Sequence, residues 1–375
     1  MIGLDRVVMK TGVVRMDADR LKVNILKKFN LKDDIHANNI EKIYIGRENS
    51  NPIFRYINWV KVVKKLGDKI SDRCYLEVEI NYPKYFEKTN FHLVTNQLYK
   101  KKVDFDIKLL LADLLETEAE TVILDYLEIE VAEQLRVKIF SDFNNAIYFI
   151  FKALCNGGFK TDSKCLYGDY SRALDRFYLT GFSFKLSKGL NLKVYNKTIE
   201  NNKNNTDSKV LGGELKTELT VTATVLKTML ATTNVEEITL ERLRIGISKK
   251  LEISIKQSVI DQFKNDEKEL IKRLRSLERI TPKNMELFVT ENNEWIFDAD
   301  TFNCILHKEV IKNKAESTSK RCQAASKRKL TLLGLSNSPK RNNIKNVERL
   351  EIFLKNLFGI TLKIKQSRKE RILIS

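Results

Sequence analysis

Leu190-Asn191-Leu192-Lys193-Val194-Tyr195 alternates apolar and polar side chains without a break. Successive side chains of a strand point to opposite faces, so Leu190, Leu192 and Val194 line one side and Asn191, Lys193 and Tyr195 the other. Three more stretches repeat the pattern. In Cys74-Tyr75-Leu76-Glu77-Val78-Glu79-Ile80 the glutamates take the odd positions; in Leu135-Arg136-Val137-Lys138-Ile139 the basic residues take the even ones. In Glu214-Leu215-Lys216-Thr217-Glu218-Leu219 the charged residues again share a face. All-parallel sheets bury both faces, whereas antiparallel sheets commonly leave one wet. The alternation therefore predicts an α+β fold, a mainly antiparallel sheet with helices packed on its apolar face. Glu77, Glu79, Arg136, Lys138, Tyr195 and Glu218 are expected on the opposite, hydrated face.

Outward from the sheet the period changes. Gly157-Gly158 is expected to close a helix around Ile147 to Leu154. After about Thr222, Val259, Ile260, Phe263, Leu270, Ile271, Leu274 and Leu277 recur at helical spacing with charged residues between them. Thr281-Pro282 marks a fresh helix start, Asn346 through Phe358 a short amphipathic helix, and Thr361 to Lys365 a strand. These shifts divide the chain into a domain at 1–230 and a helical, basic region at 231–375.

The net charge of +18 is uneven. From Lys308 onward there are 18 Lys or Arg against 5 Asp or Glu, which places +13 of the +18 there. A surface this basic attracts polyanions, nucleic acid first and an anionic membrane surface second. No run approaches the ~18 apolar residues that cross a bilayer, and the start lacks the apolar stretch of a signal peptide. A soluble, cytoplasmic protein is expected. Five scattered cysteines and three histidines form no metal-binding spacing. No Gly-Lys-Ser/Thr loop follows the glycines, so no helicase motor is expected.

The segment Leu190-Asn191-Leu192-Lys193-Val194-Tyr195-Asn196-Lys197-Thr198-Ile199-Glu200 resembles the replication initiators of small rolling-circle plasmids, the Rep_trans group, and related filamentous-phage initiators. Tyr178-Leu179-Thr180-Gly181 upstream, Lys216-Thr217-Glu218-Leu219 downstream, Arg136 to Phe143 and Leu76 to Asn81 extend the likeness over about residues 74 to 222. The chain departs from the pattern at Lys138, where the family carries an acid, and at Lys216, where arginine is common.

The resemblance implies a DNA nicking and closing enzyme. Tyr195 would be its nucleophile and Lys197 a phosphate contact. Glu218, with Asp142 and Glu79 behind it, would hold Mg²⁺ or Mn²⁺. The implied partners are origin DNA and a host helicase, and a homodimer is compatible with them. The rival reading is a DNA-binding initiator or repressor without enzymatic activity, which the basic C-terminal region and Lys138 favour. RNA binding by the sheet face ranks third, because paired surface aromatics are not evident in the strand segments.

Overall fold

The computed structural model describes residues 2–31, 42–45, 52–64, 73–87, 93–137, 144–171, 176–199, 213–297, 299–309, 316–333, 346–361, 363–366 and 371–374. By packing, the chain divides into two compact units. The first comprises Met1–Glu133, Lys185–Lys193 and Thr217–Ile247; the second comprises Gln134–Phe184, Val194–Lys216 and Ser248–Ser375. The change of period near residue 230 falls inside the first unit.

The chain opens with β1 (Gly3–Thr11), β2 (Val14–Arg15), α1 (Ala18–Phe29), β3 (Ile43–Tyr44), β4 (Ile57–Lys64) and β5 (Arg73–Asn81). A short α2 (Tyr82–Phe86), α3 (Gln97–Leu114), β6 (Leu124–Val137) and α4 (Asn144–Asn156) follow. Then come β7 (Lys160–Ser171), β8 (Arg176–Ser187), β9 (Leu190–Asn196) and β10 (Gly213–Thr222). The helices α5 (Ala223–Leu230), α6 (Leu240–Leu251), α7 (Gln257–Arg275) and α8 (Pro282–Glu291) come next. After α9 (Ala299–Glu309), α10 (Glu316–Leu332) and α11 (Asn346–Phe358), a hairpin of β11 (Lys363–Gln366) and β12 (Arg371–Ile374) ends the described chain.

Hydrogen bonding orders the strands β3-β4-β5-β1-β6-β10-β9-β8-β7, with β2 beside β5. Each pair of described register is antiparallel. The α+β class expected from the alternation is therefore the fold.

In the first unit, Cys74, Leu76, Val78 and Ile80 of β5 are completely buried, as are Leu4 and Met9 of β1 and Tyr126 and Ile129 of β6. Over β4 lies α1, which presents Leu21, Ile25 and Phe29 at a helical repeat and also packs on α3. Asp17 starts α1 by accepting a hydrogen bond from the Arg20 amide at 3.0 Å, and Asn30 ends it in the left-handed conformation.

In the second unit, α4 ends where the two glycines stand. The Phe159 amide donates to the Leu154 carbonyl at 3.3 Å and the Gly158 amide to the Cys155 carbonyl at 3.2 Å, with Gly158 at φ 75°. Only glycine takes that conformation without a Cβ penalty. Thr281 caps α8 through the Asn284 amide, with Pro282 in its first turn. Phe149, Phe263 and Phe297 meet ring to ring within 5.5 Å. The lysine-rich stretch around Lys327 is helix α10, and its Cys322, Ala325 and Leu330 are fully buried. That part of the basic region is a folded layer.

One expectation fails in detail. The charged residues of β10 do share a face, yet Glu214, Lys216 and Glu218 are 6%, 0% and 7% exposed. This strand is enclosed on both sides, so its polar face is an interior. Ionic groups there must find partners, because an uncompensated buried charge is costly.

Candidate functional site

From Arg6 onward the even positions of β1, Arg6, Val8 and Lys10, point away from the core. The Arg6 guanidinium donates to Glu79 of β5 at 2.8 Å and to Glu128 and Glu130 of β6 at 3.0 and 3.2 Å. Burial alone would lower the Arg6 pKa, but Glu130, Glu79 and Glu128, in that order, raise it further than burial lowers it. Glu79 also accepts from Asn58 at 2.9 Å.

Beside this cluster β1 breaks register. Leu4 pairs with Val131 and Arg6 with the adjacent Glu130, which leaves Asp5 as the extra residue of a β-bulge. Strict alternation would send Asp5 to the core side with Val7 and Met9. The bulge shifts the parity, so Leu4 enters the core and the Asp5 carboxylate joins the polar side. Asp5, Glu130 and Glu218 thereby bring one oxygen each within 4.8 Å of one another. Asp5 and Glu218 are 3% and 7% exposed, and Glu218 also accepts from Lys193 of β9 at 3.3 Å. Three hard carboxylate donors at this spacing fit Mg²⁺ or Mn²⁺, which favour oxygen ligands. Two of these carboxylates also belong to an all-protein ionic network, Glu130 with Arg6 and Glu218 with Lys193.

Tyr195 and Lys197 belong to the second unit. Tyr195 is 7% exposed and Lys197 2%, so both are enclosed where a hydrated face was expected. The strand ends at Asn196, and 197–199 wind into a helical turn in which the Ile199 amide donates to the Asn196 side chain at 3.1 Å. Lys197 therefore does not share a strand face with Tyr195. The turn nonetheless carries its ammonium to 5.8 Å from the centre of the Tyr195 ring. Thr198 ties the turn to β10 by accepting from the Glu214 amide at 3.0 Å.

Gly181 fixes the backbone at the tyrosine. A Cβ on it would lie 2.2 Å from the Val194 carbonyl oxygen and 2.8 Å from the Tyr195 Cα. Both are backbone atoms and cannot swing aside. The Gly181→Ala variant is expected to lose about 1–3 kcal/mol of stability, the usual cost of overpacking, measured by urea denaturation; an unchanged midpoint would mean that β8 yields freely at this point.

Of the residues singled out in the sequence, Glu218 lies in the acidic trio and Glu79 beside it, bonded to Arg6. Asp142 and Lys138 fall outside the described residues. Asp5 and Glu130 were missed. Glu130 was legible, because Leu127-Glu128-Ile129-Glu130-Val131 alternates as Leu76 to Ile80 does. Asp5 had no such signal, since a bulge leaves no mark in a period-two pattern.

No family model matches the chain and no curated protein is a significant relative. Among solved structures the chain is similar to one described as the crystal structure of the complex between Prokaryotic Ubiquitin-like Protein Pup and its ligase PafA. The identity is 11% and the TM-score 0.14, over 99% of this chain and 89% of that one, a likeness too slight to carry an argument.

Proposed function

We propose that the chain is a rolling-circle replication initiator, which nicks one strand of its origin through Tyr195. The observation that carries the reading is the trio Asp5, Glu130 and Glu218, three carboxylates gathered on the sheet, one of which, Glu218, the resemblance had assigned to metal binding. In the reaction the phenol oxygen of Tyr195 bonds to the scissile phosphorus as the bond to the 3′ oxygen breaks. The phenol gives up its proton, the 3′ oxygen takes one, and the 5′ phosphate stays on the tyrosine for later rejoining. Lys197, with its charge near the ring, favours negative charge as it develops on the phenol oxygen. Asp5, Glu130 and Glu218, all of the first unit, would hold a divalent cation, and such a cation can polarise a phosphate. DNA is the substrate, a host helicase the expected partner for strand separation, and the cytoplasm the expected setting. Among the described residues no helix is long and apolar enough to cross a membrane.

A second reading, DNA binding without cleavage, is favoured by the burial of Tyr195 and by the pairing of Glu130 and Glu218 with Arg6 and Lys193. Two measurements on Asp5→Asn separate the readings. Under the first, calorimetric Mn²⁺ affinity falls by more than the about 10–100-fold typical of losing a merely supporting residue. Relaxation of supercoiled replicon DNA to open circles falls with it. Wild-type protein that binds no Mn²⁺ and opens no circles would leave the binding-only reading.

A further inference from the structure

Four aromatic rings form a continuous ladder on the first unit, running from the buried Tyr56 to the surface. Tyr56 meets Tyr85 at 5.0 Å between ring centres, Tyr85 meets Phe86 at 4.8 Å, and Phe86 meets Tyr99 at 4.9 Å. The outer rings are open to solvent, Phe86 at 37% and Tyr99 at 54%. Tyr85 also lines an open depression of about 630 Å³ with Arg55, Ile53 and Leu109. Its hydroxyl donates to Asp106, and burial first, then that bond, pushes its pKa up to about 12. The ring thus stays neutral at working pH.

Cationic side chains stand beside the Tyr85 ring of this ladder. Lys102 holds its ammonium 5.9 Å from the Tyr85 ring centre. Lys101 and Lys102 are exposed on α3, and Lys84 is half-buried on α2. Arg55 is braced by donating its Nε hydrogen to the Lys84 carbonyl at 2.9 Å. Of the nearby acids, Asp106 is taken by Tyr85, Asp104 by Lys100, and Asp113 by Lys28. The centres of protein–protein interfaces are rich in aromatics but depleted in lysine. Exposed rings with cations beside them are instead what single-stranded nucleic acid needs, π-faces for bases and cations for the backbone.

From this geometry we infer that the α2–α3 surface of the first unit is a stacking platform for single-stranded DNA, with Phe86 and Tyr99 against bases and Lys102 and Arg55 against phosphates. The inference goes beyond the nicking reaction and uses none of its residues. The test is binding of a fluorescent 20-residue oligo(dT) by anisotropy, with EDTA present so that nicking plays no part. Phe86→Ala/Tyr99→Ala is expected to weaken binding at least about 10-fold, with little change for a 20-base-pair duplex. Lys102→Ala is expected to flatten the salt dependence, by roughly 0.7 in log–log slope for the lost phosphate contact. Tyr148→Ala, which removes an exposed ring on α4, should bind as wild type does. Circular dichroism confirms that each variant is folded. Unchanged oligo(dT) affinity in the folded ring variant overturns the proposal, as does an equal loss for duplex. Unchanged DNA affinity with loss of self-association would assign the rings to a protein contact and overturn it too.

Discussion

Tyr195→Phe is expected to bind origin DNA as the wild type does and to form neither open circles nor a protein–DNA adduct. Removing one oxygen takes away the only atom that the proposed reaction uses as nucleophile, so the loss should reach the order of 10⁴-fold or more. The ring remains, and with it the packing against Gly181 and the charge of Lys197, so the fold should tolerate the change. Stability and binding are the controls. A phenylalanine variant that nicks at even a hundredth of the wild-type rate would place the nucleophile elsewhere.

Lys100→Met should be the most damaging single substitution in the first unit. Lys100 is 1% exposed on α3. Its ammonium donates to Asp104 at 2.6 Å and to the Val235 carbonyl at 3.0 Å, and it lies 5.7 Å from the Tyr126 ring centre. Asp104 also accepts from the Tyr82 hydroxyl, which is itself 3.4 Å from that of Tyr126. Burial, foremost, raises the Asp104 pKa, and Lys100 is the main influence opposing it. Without the ammonium a buried carboxylate is left without its cation, a loss of about 3–5 kcal/mol.

The pH dependence follows in sign. An acid whose folded pKa lies above its unfolded value binds its proton more tightly when folded, so protonation favours folding. The deficit of Lys100→Met should therefore be full above the folded pKa of Asp104 and shrink as pH falls through it. Adding Asp104→Asn should recover part of the loss at neutral pH. Urea denaturation at several pH values reads both effects, and a pH-independent deficit would contradict the assignment.

The sheet was legible because its strands obey a period of two, and the helices because α7 and α11 hold their spacing. Caps were legible as well: Gly158 and Thr281 act as their residue types demand. What escaped was set by tertiary context. Nothing local says that the polar face of β10 is enclosed, since Glu214, Lys216 and Glu218 read the same against water as against partners. Lys197 looked like a strand residue because one helical turn after Asn196 is too short to leave a period. Asp5 was hidden by its bulge. The surface aromatics were sought on the sheet, whereas Phe86 and Tyr99 come together from two helices, 13 positions apart in the chain.

The most direct test maps the covalent bond itself. Wild-type protein is incubated with supercoiled replicon DNA and Mn²⁺, the DNA is digested to its terminal nucleotide, and the peptides are weighed by tandem mass spectrometry. The account predicts a nucleotide phosphate on the peptide that contains Tyr195, carried by that side chain. Open circles accompanied by a nucleotide on any other residue would contradict it.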